Sequence, residues 1–206
     1  MSFRFNEPKG IFMTIVVMSG NFDKIKEISV IFESMGMPVV SIHDILSEVP
    51  EIIEDGDTFI DNAIKKVYPL PLHPDRIYLA DDSGLSVDAL GGRPGVFSAR
   101  YGGNGLSNRD QCRLLLSELG ESPHRDAHYT CAIALKFPDG RVLTTEGYMH
   151  GHIGHELKGE HGFGYDPIFI PNGHSCTVAE MLPEEKHLIS HRFFALLEAK
   201  QLINVS

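Results

Sequence analysis

The sequence predicts an α/β fold with a mixed β-sheet, and two observations carry the prediction. In the first half, short apolar runs alternate with stretches of helical period. In the second half, one long alternating segment turns at Pro138-Asp139-Gly140 and returns, the pattern of an antiparallel hairpin. Strand–helix units followed by a hairpin make the sheet mixed.

Taken in order, Ile15-Val16-Val17 reads as a buried strand. Phe22, Ile25, Ile28 (or Ser29), Phe32 and Met35 then fall on one helical face, and Gly36 closes that helix. Pro38 to Ile42 is a second strand. Thr58 and Asp61 form a capping box ahead of Ile60, Ala63, Ile64 and Val67, which recur at i, i+3, i+4 and i+7. Ile77 to Ala80 is a strand ending in Asp81-Asp82. Ser107 with Asp110 caps a further helix, with Cys112, Leu115, Leu116 and Leu119 as its apolar stripe. His128 to Phe137 and Arg141 to Met149 form the hairpin. Ser190 opens a terminal helix that turns Ala195, Leu196, Ala199, Leu202 and Ile203 inward.

The composition is that of one ordinary globular domain. Its 206 residues are 42% hydrophobic and 22% charged, which excludes a disordered or fibrous chain, and a chain this long buries a core without staples. The formal net charge is -10, which argues against a protein that holds a nucleic acid polymer by neutralising its phosphates. A small anion in a local pocket stays open. No apolar run approaches the ~18 residues of a membrane helix. Cys112, Cys131 and Cys176 have no metal-type spacing, and an odd number of cysteines favours a reducing, cytoplasmic compartment. The run from Ile11 to Met18 faintly resembles a signal peptide but lacks a small-residue cleavage site; it reads better as strand, with residues 1–12 a flexible extension.

Five clusters carry chemistry. Ser19-Gly20-Asn21 joins the first strand to the first helix, where backbone N–H groups suit an anion. Lys24 and Lys26 sit at the helix end that disfavours cations, a mismatch a phosphate would relieve. The same residues also make an ordinary tight turn with solvated lysines. Asp81-Asp82-Ser83-Gly84 at a strand end suits Mg²⁺ or an Asx-turn, and strand alternation lets only one aspartate face a given site. Glu51, Glu54, Asp55 and Asp57 precede a helix whose Lys65 and Lys66 either reach an anion or face water. Gly162-Phe163-Gly164-Tyr165-Asp166 offers an aromatic face for stacking on a base, or a turn with core aromatics. Lys186 and then Ser190-His191-Arg192 put cationic donors at another helix start, suited to a carbonyl oxygen. His150, His152, His155 and His161 suggest zinc, but no helical pair or cysteine pair accompanies them.

In order, these clusters resemble the inosine/xanthosine triphosphate pyrophosphatase family. The residues that carry the resemblance are SGN-x-x-K at 19–24, TF-x-x-NA at 58–63 and ADDSGL at 80–85. LGG-x-PG-x-x-SARY at 90–101, GFGYDPIF at 162–169, AEM-x-x-EEK at 179–186 and SHR at 190–192 complete the set. The resemblance implies an elongated sheet in two lobes, with the active-site cleft between them, and a single catalytic domain over residues 13–206. It implies hydrolysis of non-standard purine triphosphates to monophosphate and pyrophosphate, with Mg²⁺ as cofactor and a homodimer as assembly. Asp82 matches the family's catalytic aspartate and metal ligand, and Glu54 is the second metal ligand. Ser19, Gly20, Asn21, Lys24, Lys66, Ser83 and Lys186 are assigned to the triphosphate. Phe163 would stack on the purine, with Gly164, Tyr165 and Asp166 shaping the pocket, and His191 and Arg192 would bind its 6-oxo edge. The sequence departs from the pattern at Ser19 (usually threonine), Asp61 (usually glutamate), Val67 (usually alanine) and Ile53, where many members carry an acid. A non-catalytic nucleotide-binding module is the alternative; retention of both Glu54 and Asp82 argues against it.

Overall fold

The computed structural model describes residues 13–103 and 105–205, apart from the side chain of Asp23; the extension assigned to residues 1–12 lies outside the described residues. One six-stranded sheet organises the chain. Its strands are β1 (Thr14–Val17), β2 (Val39–Ser41), β3 (Arg76–Val87), β4 (Asp126–Lys136), β5 (Val142–Ile153) and β6 (Phe169–Pro171). They lie in the order β2-β1-β3-β4-β5-β6, with β2, β1 and β3 parallel and every later pairing antiparallel, so the expected mixed sheet is present. Among the described residues five α-helices flank it: α1 (Phe22–Phe32), α2 (Phe59–Val67), α3 (Asn108–Leu119), α4 (Pro183–Ile189) and α5 (His191–Asn204).

Local signals set the helix ends. Ser107 and Ser190 accept the backbone N–H three residues on, from Asp110 and Phe193. Thr58 does the same for Asp61, but the Asp61 carboxylate accepts the Thr58 hydroxyl, so the reciprocal half of the expected capping box is missing. Gly36, at φ 73, closes the turn that follows α1.

Three expectations change. Phe22 is 76% exposed, because it opens α1 beyond the end of the strand on which the helix packs. The second strand stops at Ser41, whose hydroxyl accepts from His43 N–H while Asp44 accepts from Ser41 N–H, turning the chain at Ile42. The third strand does not end at Asp81-Asp82. It continues to Val87, because β4 pairs with it from Tyr78↔Lys136 through Val87↔Ala127 and satisfies the backbone past the acidic pair.

The alternation of β3 then decides the site. Ile77 and Leu79 face a core shared with α1 and α5, whereas Tyr78 and Ala80 face a core shared with α2. Further along the first face, Leu85 and Val87 enter another core with α3, Tyr129 and Phe169. Asp81 and Ser83 are the polar interval between those two apolar clusters. Asp82 points to the opposite face, over α2. On its other side β3 is paired with β1 only as far as Leu79, whose carbonyl accepts from Met18 N–H. Its edge around Asp81 and Asp82 is therefore open at the carboxyl end of β1, the place where open α/β sheets receive ligands.

The three cysteines are free. Burial pushes the Cys112 and Cys131 thiols up to about 12, while Cys176 is half-buried. Iodoacetamide at pH 8 is therefore expected to label Cys176 alone in the native protein and all three thiols after denaturation; native labelling of Cys112 or Cys131, read by mass spectrometry, would contradict their burial.

Candidate active site

On the α2 side of the sheet, one ammonium gathers two carboxylates. Lys66, from the last turn of α2, lies 2.9 Å from Asp82 Oδ1 and 3.0 Å from Glu54 Oε2, and it donates to the Asp81 backbone carbonyl at the open edge of β3 (3.1 Å). Asn62, one turn earlier, donates to Asp82 Oδ2 (3.0 Å) and accepts from Gly56 N–H (2.8 Å), which ties the acidic segment to the helix. Arg100 donates to the Glu54 carbonyl (3.0 Å) and fixes that segment from the other side. Burial raises the Asp82 carboxyl above its ordinary range; Lys66 and Asn62 oppose the rise and Glu54 adds to it. Burial would lower Lys66, but Asp82 and Glu54 outweigh it and keep the ammonium charged.

On the opposite face, Asp81 is the centre. Its side chain is 4% exposed, and both oxygens are taken by cations from two helices. Lys24 of α1 is 3.0 Å away, and Arg192 of α5 approaches Oδ2 through Nε (3.4 Å) and Nη2 (3.2 Å). Arg192 also binds Glu27 of α1 (2.8 Å) and reaches Ser83 Oγ (3.5 Å). Burial alone would raise the Asp81 carboxyl, but Lys24 and Arg192 hold it well below the usual range. Lys24 and Arg192, which the helix dipole disfavours at the starts of α1 and α5, are thus balanced within the protein by Asp81 on β3, with Glu27 also on Arg192.

Beside this pair, His191 stacks on Tyr129, with ring centroids 4.8 Å apart and 8° between planes. Its Nδ1 is buried and has no hydrogen-bond partner among the described residues. Burial, with Arg192 and Lys186 adding to it, holds the imidazole well below its ordinary pKa, so it is neutral at pH 7. Asp166 anchors the glycine-rich loop: its Oδ2 accepts from Phe163 N–H (2.9 Å) and Lys186 Nζ (2.6 Å), and its Oδ1 from the Tyr129 hydroxyl (3.3 Å). A Cβ at Gly162 would lie 2.1 Å from Asp166 Oδ2, and this residue has φ 74, so both space and backbone require glycine. The loop leaves Phe163 49% exposed, with the Lys186 ammonium 4.5 Å from its ring centroid. A cavity of about 590 Å³ opens beside it, between Glu27 and Val30 of α1 and Lys186 and Leu188 of α4.

Most of the residues singled out from the sequence meet here, on two faces of one strand. Glu54, Lys66 and Asp82 form one group; Lys24, Ser83, Phe163, Asp166, Lys186, His191 and Arg192 form the other. Ser19, Gly20 and Asn21 lie at the end of β1, where Ser19 O accepts from the Ser41 hydroxyl and Asn21 Oδ1 caps α1 by accepting Lys24 N–H. Tyr165 is placed elsewhere: its ring is buried in the α3 core and its hydroxyl donates to Ser98 O (2.9 Å). Gly164, at φ 61, accepts from the Cys112 thiol and gives the loop its turn. Sequence reasoning missed Glu27 and Tyr129; it singled out Asp81 beside Asp82 and carried Asn62 in the TF-x-x-NA motif, but gave neither a partner. Glu27 and Tyr129 carry no local signal, since the groups they meet lie far along the chain. Among the described residues no group of three His, Cys, Asp or Glu is placed to hold a metal ion, so the acidic group offers two carboxylates, Glu54 and Asp82.

Fold and site together define a class: an α/β protein whose central strand carries two acidic residues back to back, each tied to cations from the helices on its own face. Within that class the chain belongs to the Ham1 family, whose model matches residues 15–202. It is 44% identical over 194 residues to a dITP/XTP pyrophosphatase of Desulforamulus reducens, covering 93% of this chain and 96% of the relative. It is 42% identical over 190 residues to the dITP/XTP pyrophosphatase of Bacillus subtilis, covering 91% and 96%. Among solved structures, a HAM1 protein from Coxiella burnetii superimposes with a TM-score of 0.86 at 35% identity, covering 94% of this chain and 100% of that one.

Proposed function

We propose that this protein is a nucleoside triphosphate pyrophosphatase that cleanses the nucleotide pool of non-standard purines, converting ITP, dITP and XTP to the monophosphate and pyrophosphate. The observation that carries this reading is the convergence of Glu54 and Asp82 on one cation at the open edge of β3. The names of its relatives, dITP/XTP pyrophosphatases, support the substrate class.

The cation bound there is the Lys66 ammonium, and it marks where two hard oxygen donors converge. One or two carboxylates, completed by water and substrate phosphate, suit Mg²⁺. Glu54 and Asp82 would hold the ion, which when bound polarises a phosphoryl oxygen and offsets its charge. Lys66 would then turn to the triphosphate, together with Lys24, Lys186 and the Ser19-Gly20-Asn21 turn, with Ser83 beside it. Water attacks the α-phosphorus, the bridging oxygen leaves with pyrophosphate, and Asp82 takes the water's proton on a carboxylate oxygen. Burial raises the Asp82 carboxyl, the direction that makes its carboxylate a stronger base.

Phe163 presents a stacking face for the purine. His191 and Arg192 would donate to a 6-oxo group, and a 6-amino group would leave such donors unsatisfied, which discriminates strongly. Residues 13–206 act as one catalytic domain in this reading, and the protein works as a homodimer. Three free thiols suit a cytoplasmic site of action. No helix among the described residues is long and apolar enough to cross a membrane.

A phosphate-release assay coupled to inorganic pyrophosphatase tests the proposal with ITP, XTP, dITP, ATP and GTP. Expected is Mg²⁺-dependent pyrophosphate release from the first three, lost on chelation, with ATP, the 6-amino purine, at least tenfold poorer in kcat/KM. Tight ITP binding in calorimetry without any product would instead make the protein a nucleotide-binding module.

A further inference from the structure

The buried carboxylate of Asp81 has no part in the chemistry proposed above, yet it touches both halves of the ligand machinery. Lys24, assigned to the phosphates, and Arg192, assigned to the base, come from helices at opposite ends of the sequence. They meet on the two oxygens of this one side chain, at 3.0 Å and at 3.2–3.4 Å. Neither cation can change its hold on Asp81 without altering the charge left for the other. Asp81 cannot itself reach the Asp82 side of the strand, because adjacent strand residues face opposite ways.

We propose that Asp81 is a positioning residue that couples recognition of the purine base at Arg192 to the grip on the phosphates at Lys24. The inference rests on the pyrophosphatase reading for its substrates, but the coupling itself is a property of three side chains. A donor spent on a 6-oxo group loosens Arg192 from Asp81, which then draws on Lys24 and resets the ammonium over the phosphate tail. A 6-amino purine gives no such exchange. Discrimination therefore falls on turnover as well as on affinity.

The test pairs two probes in the full-length protein: inorganic tripolyphosphate, titrated by calorimetry to read the phosphate side, and the ITP-to-ATP ratio of kcat/KM to read the base side. Asp81→Asn keeps the size of the side chain and removes its charge. Expected is a tenfold or greater drop in the ITP-to-ATP ratio, with kcat for ITP changing more than KM. Arg192→Met is expected to weaken tripolyphosphate several-fold in the otherwise native protein and to have no such effect in the Asp81→Asn background. Such non-additivity is the mark of residues acting through one another. An unchanged ratio in a folded Asp81→Asn protein overturns the coupling. So does an Arg192→Met effect on tripolyphosphate that survives intact in that background. If Asp81→Asn does not fold, Lys24→Met and Arg192→Met decide alone: non-additive losses of tripolyphosphate affinity support the coupling, and additive losses overturn it. A wild-type protein inert toward ITP would sink the pyrophosphatase reading, while the tripolyphosphate arm would still judge Asp81.

Discussion

Replacing Asp82 by asparagine is expected to lower kcat for ITP by about 10³-fold, within the range lost when a general base is removed. Nucleotide binding should survive within several-fold, because Lys24, Lys186 and Phe163 are not bonded to Asp82. The structure adds a second expectation, about stability. In the folded protein burial outweighs the help Asp82 receives from Lys66 and Asn62, so its carboxyl lies above its unfolded value. A carboxyl raised in this way contributes stability at low pH that is lost as pH rises through its folded pKa. At neutral pH its charge is a net cost to the fold. Asparagine removes that charge, can still accept from Asn62 or Lys66, and leaves Lys66 paired with Glu54. The variant should therefore melt no lower than the wild type at pH 7.5 while being almost inactive. Calorimetric melting and pyrophosphate release on the same preparation check both. Activity within tenfold of wild type would remove Asp82 from the proposed role, and a large loss of stability would mean that its charge holds the site together.

What the sequence makes legible is what depends on near neighbours. Ser107, Thr58 and Ser190 announce their helices because the bonds they make are three residues away. The hairpin turn is legible for the same reason: Gly140, at φ 89, donates to Phe137 O within the turn itself. Strand β3 is legible only in part. Asp81-Asp82-Ser83-Gly84 has the composition of a turn, and the residues that keep it extended are those of β4, about fifty positions later. Strand β6 and helix α4 escape for similar reasons, since three residues of strand and a seven-residue helix carry too little periodicity to read. At the site, the acidic and basic residues and their unfavourable places on the helix dipoles are visible. Their partners are not, because Lys24 and Arg192 meet Asp81 across 57 and 111 residues of chain. A phosphate is one remedy for such a mismatch, and the fold supplies another.

Gly147 shows how a determinant of the site leaves no trace in the sequence. It lies inside β5, paired with Cys131, and has an ordinary negative-φ strand conformation, so no turn signal marks it. Its constraint comes from α5, which crosses directly over it. A Cβ at this position would lie 2.2 Å from His191 O and 2.3 Å from Ala195 N, both backbone atoms that no rotamer change can move. Thr145, two residues earlier on the same face, donates to Ala195 O (3.0 Å) and pins the helix at that distance. Gly147→Ala must therefore lift the first turn of α5, and overpacking against a backbone belongs at the upper end of the usual penalty, about 3 kcal/mol. For a chain of this size that lowers Tm by roughly 6–12 °C. The same first turn carries His191 and Arg192, and Arg192 meets Asp81 at 3.2–3.4 Å, with no slack to follow a displaced helix. Kcat/KM for ITP is expected to fall about 10²-fold, the scale of a 1 Å misplacement, with the ITP-to-ATP preference falling alongside it. Differential scanning calorimetry and the two-substrate assay read these losses together. A normal Tm with reduced preference would mean that α5 yields locally at its start. A normal Tm with normal preference would mean that the close approach of α5 to β5 is not what holds the base-recognition end of the site.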